Sequence, residues 1–323
     1  MNILVTGGAG FIGSHLCRLL ISQGHDVVVL DDLSTGRYEN LEEIDNGKHL
    51  RLIVDNVNNA AITDACVREA DRVFHLASAV GVRLIIDQPV RTIESIVGGT
   101  ETVLKACARY RRPFLLTSTS EVYGKGSKVP FCEDDDTVMG PTSKRRWSYA
   151  AAKMLDEFLA LAHWVETRQP VVIARLFNTV GPRQTGQYGM VVPNFVRQAL
   201  HGKPITVYGD GCQSRCFAHV EDVVSALARL MECPTARGRV VNIGNNEEVT
   251  ILELAKRVKT LAFSESPIEM VPYEKAYGEG FDDMRRRVPS IELAKDLIDY
   301  SPRRHLNDIL LDVIKHEKSK LEK

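Results

Sequence analysis

Asn2-Ile3-Leu4-Val5-Thr6-Gly7-Gly8-Ala9-Gly10-Phe11-Ile12-Gly13 opens the chain, and the order of residue types in it decides the fold. A short apolar run with a β-branched centre predicts a buried first strand. It breaks into glycines, and Leu16, Leu19 and Leu20 then carry a helical spacing. Glycines between strand and helix let the backbone approach a pyrophosphate closely, and the helix N-terminus adds free N–H groups and a favourable dipole. Both Gly8-x-Gly10-x-x-Gly13 and Gly7-x-x-Gly10-x-x-Gly13 fit; a glycine-rich turn without a ligand is the plain alternative. The expected cradle is Gly7, Gly10, Phe11, Ile12 and Gly13.

Working outward, Asp26 to Leu30 reads as a second strand with Asp31 at its carboxyl end, 18 positions beyond Gly13. A carboxylate there can accept both adenosine ribose hydroxyls and would repel a 2′-phosphate, so NAD is expected in preference to NADP. Asp32 shares the role or caps the next loop. The third strand, Leu50 to Val54, leads to Asn56 and Val57 as an adenine-edge contact. The fourth, Arg72 to Leu76, ends in Leu76, Ala77 and Ser78 beside the cofactor. Pro89 to Tyr110 is a long amphipathic helix, Pro113 to Leu116 a fifth strand leading to Thr117, and Val171 to Ala174 a sixth. This alternation predicts an α/β fold with a doubly wound parallel sheet of Rossmann type. After Arg175 the texture changes: Gly181-Pro182-Arg183, Gly186 and Gly189 mark loops, and short helices and strands follow. The expected division is a dinucleotide-binding domain over 1–175 and a smaller mixed α/β substrate lobe over 176–323, with some segments returning to the first domain.

The totals bound the possible partners. The chain's 323 residues are 44% hydrophobic, ample for a packed core. Lys+Arg 41 against Asp+Glu 42 leaves a formal charge of −1, so no global electrostatic case exists for nucleic acid or a membrane surface. Cys17, Cys66, Cys107, Cys132, Cys212, Cys216 and Cys233 are scattered without a Cys-x-x-Cys, which reads as reduced thiols in a cytoplasmic protein. No His/Asp/Glu spacing suggests a metal. Neither a signal peptide nor a bilayer-spanning run is read.

Ser148-Tyr149-Ala150-Ala151-Ala152-Lys153 is the chemical centre. Four-residue spacing in an alanine-rich helix puts the ammonium beside the phenol, where a cation favours phenolate and proton transfer. An isolated pair of this kind is commonplace; its company gives it weight.

The stretches TGGAGFIGSHL, STSEVYG, YAAAK, RLFNTVGPR and VYGDGCQSRCFAHVEDV, in this order across most of the chain, resemble the extended short-chain dehydrogenases/reductases that act on nucleotide sugars. Ser120-Glu121 after Thr119, Arg146-Trp147 before the tyrosine, Arg287-Val288-Pro289-Ser290 and VNIGNNEEVTILELA are most similar to the UDP-glucuronate decarboxylases, including the UDP-xylose synthases and the decarboxylase domain of the polymyxin-resistance enzyme. The resemblance implies that Tyr149 takes the proton of the sugar 4-hydroxyl while NAD removes hydride from carbon 4. It implies that Lys153 holds the phenol's pKa down and binds the nicotinamide ribose, and that Thr119 orients the same sugar oxygen. The 4-ketone lies beta to the carboxylate on carbon 5, so carbon dioxide can leave. Ser120 and Glu121 match positions that contact this end of the sugar, and Arg287 matches a carboxylate partner and proton donor to carbon 5. Asn178, Arg183 and Arg215 match residues near the sugar and diphosphate, with Val192 and Tyr208 in the segments that enclose the nucleotide. Relatives pair through the two long helices, Pro89 to Tyr110 and Trp147 to Thr167, so a homodimer is expected.

Three departures stand out: Asn56 for a usual aspartate, Ile96 for a frequent asparagine, and the unlike segment Ser78 to Ile86. Oxidation at carbon 4 also serves 4-epimerases and 4,6-dehydratases, which remain open. A non-catalytic dinucleotide sensor is the alternative from another class, and the trio Thr119, Tyr149 and Lys153 speaks against it.

Overall fold

In a computed structural model, residues 1–78, 88–186, 190–272 and 284–322 are described. Most of the unlike segment after Ser78, and Gly189, lie outside them. The first strand, β1 (Asn2–Thr6), is buried from Ile3 onward, because both faces of a parallel sheet are covered. Helix α1 (Phe11–Ser22) follows and buries Leu16, Cys17 and Leu20 against the sheet. Five more strands alternate with helices: β2 (Asp26–Asp31), β3 (Leu50–Val54), β4 (Arg72–His75), β5 (Phe114–Thr119) and β6 (Val171–Leu176). The helices among them are α2 (Ala60–Glu69), α3 (Pro89–Tyr110) and α4 (Trp147–Thr167). Residues Thr92, Ile96, Thr100, Val103 and Cys107 of α3 are buried at three- and four-residue steps, which is the amphipathic stripe read from the sequence.

Four short strands and two helices come next: β7 (Thr179–Val180), α5 (Val191–Leu200), β8 (Ile205–Tyr208), β9 (Ser214–Cys216), β10 (Ala218–His219) and α6 (Val220–Glu232). The strand β11 (Arg239–Ile243) then pairs in parallel with β6. The seven-stranded sheet has the order β11-β6-β5-β4-β1-β2-β3, with every pair parallel. Strands are added outward in one direction from β1 to β3 and in the other from β4 onward, and ligands bind such sheets outside the carboxyl ends at that switch. Helix α6 packs on α1, so 218–243 belongs with the sheet although it lies beyond Arg175.

The remaining elements are β12 (Glu248–Thr250), α7 (Ile251–Leu261), β13 (Ile268–Val271), β14 (Arg286–Arg287), α8 (Glu292–Ile298) and α9 (Leu306–Leu321). A second core, with Val196, Phe195, Leu254, Val258, Ile309 and Leu310, gathers α5, α7 and α9 above the carboxyl edge. In the small sheet β12-β9-β14, β14 runs parallel to β9 and sets Arg287 opposite Arg215. No helix among the described residues is long and apolar enough to cross a membrane.

A buried polar chain runs through the sheet–helix layer. The Thr6 hydroxyl lies 2.7 Å from His75 Nδ1, and His75 Nε2 lies 3.2 Å from the Thr100 hydroxyl. Burial, then the Lys153 charge, pushes His75 down to about 3; burial and Arg183 do the same to His15. Both rings stay neutral in the folded chain but take up protons below pH 6.5 once unfolded. The unfolded state therefore binds more protons between pH 6.5 and about 3, and stability falls as pH falls through that window. Each ring contributes up to about 1.4 kcal/mol per pH unit. Urea midpoints should drop clearly between about pH 7 and pH 5; equal midpoints would contradict the assignment.

Candidate active site

One cavity of about 800 Å³ lies along the carboxyl edge, between the glycine turn and the second core. Gly7 turns out of β1 with φ +72°, and a Cβ there would press on the Ala77 backbone. A Cβ on Gly13 would overlap the Gly7 carbonyl oxygen, so α1 can approach the strand only without one. No side chain caps α1 and its first turn holds no acid, so the helix N-terminus is left to face a ligand.

At the end of β2, Asp31 is buried and accepts from Ala9 N–H and Leu33 N–H, each at 2.9 Å. Burial pushes its carboxyl above the usual range while these two amides pull the other way. The carboxylate thus also holds the glycine turn in shape. Asp32 accepts from Ser34 N–H at 3.0 Å and from the Asn56 amide at 2.8 Å, which ties the ends of β2 and β3 together. Asn56 accepts from Asn58 N–H at 2.9 Å, so this amide braces the loop as well as lining the cleft. Val57, Leu76, Ala77, Ser78 and Thr117 line the same wall, with Phe11 and Ile12 at the turn. An open cradle, an uncapped helix end and a buried acid on the ribose side fit NAD.

Thr119 ends β5, and its hydroxyl both accepts from Glu121 N–H at 3.2 Å and hydrogen-bonds the Tyr149 phenol. Ser120 is buried beside it. The four-residue spacing predicts an ammonium that lowers the phenol's pKa; the structure differs. Lys153 Nζ donates to Asp156 Oδ2 at 2.9 Å, with both side chains buried. Burial first, then the charge of Glu121, holds the Tyr149 phenol above its ordinary value, with Asp156 adding in the same sense and the Thr119 hydrogen bond opposing. Sequence spacing gives a shared helical face but not a competing acid one turn along.

Beyond the tyrosine, Glu121 meets Arg287 Nη2 at 2.6 Å and Arg146 Nη2 at 3.4 Å. Burial alone would raise the Glu121 carboxyl, but Arg287 and Arg146 pull it below its usual range. Arg146, the residue at the N-cap of α4, enters the site beside Arg287 although the sequence marks it only through the Arg146-Trp147 resemblance and assigns it no role. Val192 and Tyr208 line the far half of the cavity. Asn178 also lines it, and its amide donates to the Cys216 carbonyl at 3.0 Å. Arg215 is buried and donates to the Ser214 carbonyl at 2.7 Å. Arg183 donates to the Asn40 carbonyl at 2.7 Å, near the glycine turn. Among the described lining residues five arginines, including Arg91, face three acids, a field suited to an anionic ligand.

A seven-stranded parallel sheet with a dinucleotide cradle, and with Thr119 and Tyr149 in the same cleft, defines an enzyme built on a dinucleotide-binding fold. The chain belongs to the NAD dependent epimerase/dehydratase family, whose model matches residues 3–244. It is 40% identical over 93% of its length to the UDP-N-acetyl-alpha-D-glucosaminuronate decarboxylase of Bacillus cytotoxicus, covering 92% of that protein. It is 38% identical over 99% of its length to the UDP-glucuronic acid decarboxylase 1 of Danio rerio, covering 73% of that protein. Among solved structures, the UDP-glucuronic acid 4-epimerase from Bacillus cereus, in complex with UDP-glucuronic acid and NAD, superimposes with a TM-score of 0.89. That likeness has 27% identity and covers 99% of this chain and 100% of the epimerase.

Proposed function

We propose that this enzyme decarboxylates a UDP-linked hexuronic acid through a 4-keto intermediate, giving the UDP-pentose or UDP-4-keto-pentose. The observation that carries the reading is Glu121 held between Arg287 and Arg146 in the cleft that contains Thr119 and Tyr149. Paired guanidiniums bind a carboxylate in forked geometry, and a neutral hexose has no use for them. The decarboxylases among its relatives point the same way.

NAD is the cofactor of this reading, held by Gly7, Gly10, Gly13, Asp31 and the wall from Val57 to Ser78; when bound it supplies the hydride acceptor and donor for carbon 4. Tyr149 takes the 4-hydroxyl proton and later returns it, with Thr119 orienting that oxygen. Lys153 supplies positive charge behind the phenol. Arg287 and Arg146 fix the sugar carboxylate, so that the carbon–carbon bond can break with its electrons entering the 4-ketone. Ser120 and Glu121 contact this end of the sugar, and Arg287 carries the proton-donor role at carbon 5. Asn178, Arg183, Arg215, Val192 and Tyr208 enclose the nucleotide half. The test is incubation with UDP-glucuronate, and in parallel UDP-N-acetylglucosaminuronate, followed by mass spectrometry of the nucleotide sugar. Loss of carbon dioxide supports decarboxylation. The likeness to a UDP-glucuronic acid 4-epimerase favours one second reading, and an isomer of unchanged mass would establish it instead.

A homodimer is part of this proposal. Helices α3 and α4 lie side by side, yet Val90, Ile93, Leu155, Phe158 and Val165 stay exposed on them. Apolar surface of this kind is stabilised by covering it, and a second copy offers a matching pair of helices. Light scattering at micromolar concentration should give twice the chain mass, and Phe158→Glu should give the monomer. A monomeric wild type would refute the pairing.

A further inference from the structure

Two adjacent acids on α4 hold different cations. Glu157 takes Arg175 from β6, whereas Asp156 takes Lys153 from its own helix. Asp156 is fully buried, Lys153 is 2% exposed, and they meet at 2.9 Å. The other Asp156 oxygen, Oδ1, closes no hydrogen bond of ordinary length among the described residues, although the Thr100 hydroxyl of α3 faces the carboxyl. A dry carboxylate with one oxygen unsatisfied is costly unless the partner it holds matters. The cation it holds is the residue expected to act behind Tyr149.

We propose that Asp156 is a positioning residue for Lys153: it fixes the ammonium within the sheet–helix layer and cancels part of the charge that the ammonium presents to Tyr149. The inference rests on Lys153 and Tyr149 being the working pair of the proposed reaction. An ammonium has three N–H donors, so one bond to Asp156 leaves two for other ligands. The charged and titratable neighbours are few. His75 from β4 is neutral, and Arg175 from β6 is neutralised by Glu157 on α4. Glu121, in the turn after β5, is the other acid acting on the phenol. With Asp156 in place the phenol keeps its proton more firmly than a lone lysine would allow. Tyr149 both takes a proton from the sugar and gives it back, so Asp156 acts on how firmly that proton is held between the two steps.

The test is an ultraviolet difference titration of phenolate in the NAD-loaded protein. Wild type minus Tyr149→Phe gives the Tyr149 midpoint, and Asp156→Asn minus its own Tyr149→Phe partner gives the shifted one. The expected result is a midpoint lower by about one pH unit, since a single nearby charge moves a neighbour by that order. Asp156→Glu, which keeps the charge, should restore it, and the acid limb of kcat should move in parallel. An unchanged midpoint with only a lower Tm would make Asp156 structural and overturn the proposal. Asp156→Ser also deletes the charge and replaces the asparagine variant should that one fail to fold. The titration requires no turnover, so a failure to decarboxylate any UDP-hexuronate would sink the reaction while leaving this measurement decisive.

Discussion

Tyr149→Phe is expected to lower turnover by roughly 10³-fold while leaving NAD affinity unchanged. The substitution removes one oxygen from a ring that stays packed, so neither the fold nor the cradle at Gly7 and Gly13 should feel it. What it removes is the group that receives the 4-hydroxyl proton, together with the partner of the Thr119 hydroxyl. Because the phenol sits above its ordinary value, wild-type turnover should rise with pH as the phenolate becomes accessible, and the residual rate of the variant should lose that limb. Steady-state kcat across pH, with NAD binding followed by fluorescence, checks both halves. A variant within tenfold of wild type would remove Tyr149 from the chemistry.

The second large effect is on stability. Glu157→Ala should destabilise the enzyme by roughly 3–5 kcal/mol, the usual cost of stranding one member of a buried ion pair. Arg175 donates to Glu157 through Nε at 3.0 Å and Nη2 at 2.7 Å, and its Nη1 reaches the Glu133 carbonyl at 3.0 Å. Its guanidinium also stacks over Tyr123, 4.8 Å from the ring centre, and the Tyr123 hydroxyl donates to Asn242 on β11 at 2.7 Å. The Ser118 hydroxyl of β5 also donates to Glu157, so the pair joins α4, β6, β5 and β11 beneath Thr119. Removing the carboxylate leaves a guanidinium in a dry site with one carbonyl partner. Adding Arg175→Met should recover much of the loss, because the desolvated charge goes with it. Urea denaturation of both variants measures the difference. A single-variant loss under about 1 kcal/mol would mean that water reaches Arg175 and the pair behaves like an exposed one.

Both expectations draw on residues of unequal legibility. The cradle was readable because it is local: strand, glycines and helix follow one another, and the backbone conformations they require are properties of those residues themselves. Asp31 was readable for the same reason, since it ends the very next strand. Its second task, holding Ala9 and Leu33 amides, was not, because hydrogen bonds across a turn depend on how the turn closes.

By itself the sequence determined the alternation of strands and helices, the acidic end of β2 and the shared helical face of Tyr149 and Lys153, all matters of short-range periodicity and turn chemistry. Tertiary structure alone decided three things. It brought β11 back beside β6, because an apolar strand goes where an unpaired sheet edge lies, whatever its place in the chain. It carried Arg287 on β14 to Glu121, a pairing set by the register of β14 on β9. It gave Lys153 to Asp156 and left the phenol to Thr119, because burial removes water as a competing partner and makes the nearest opposite charge the strongest one.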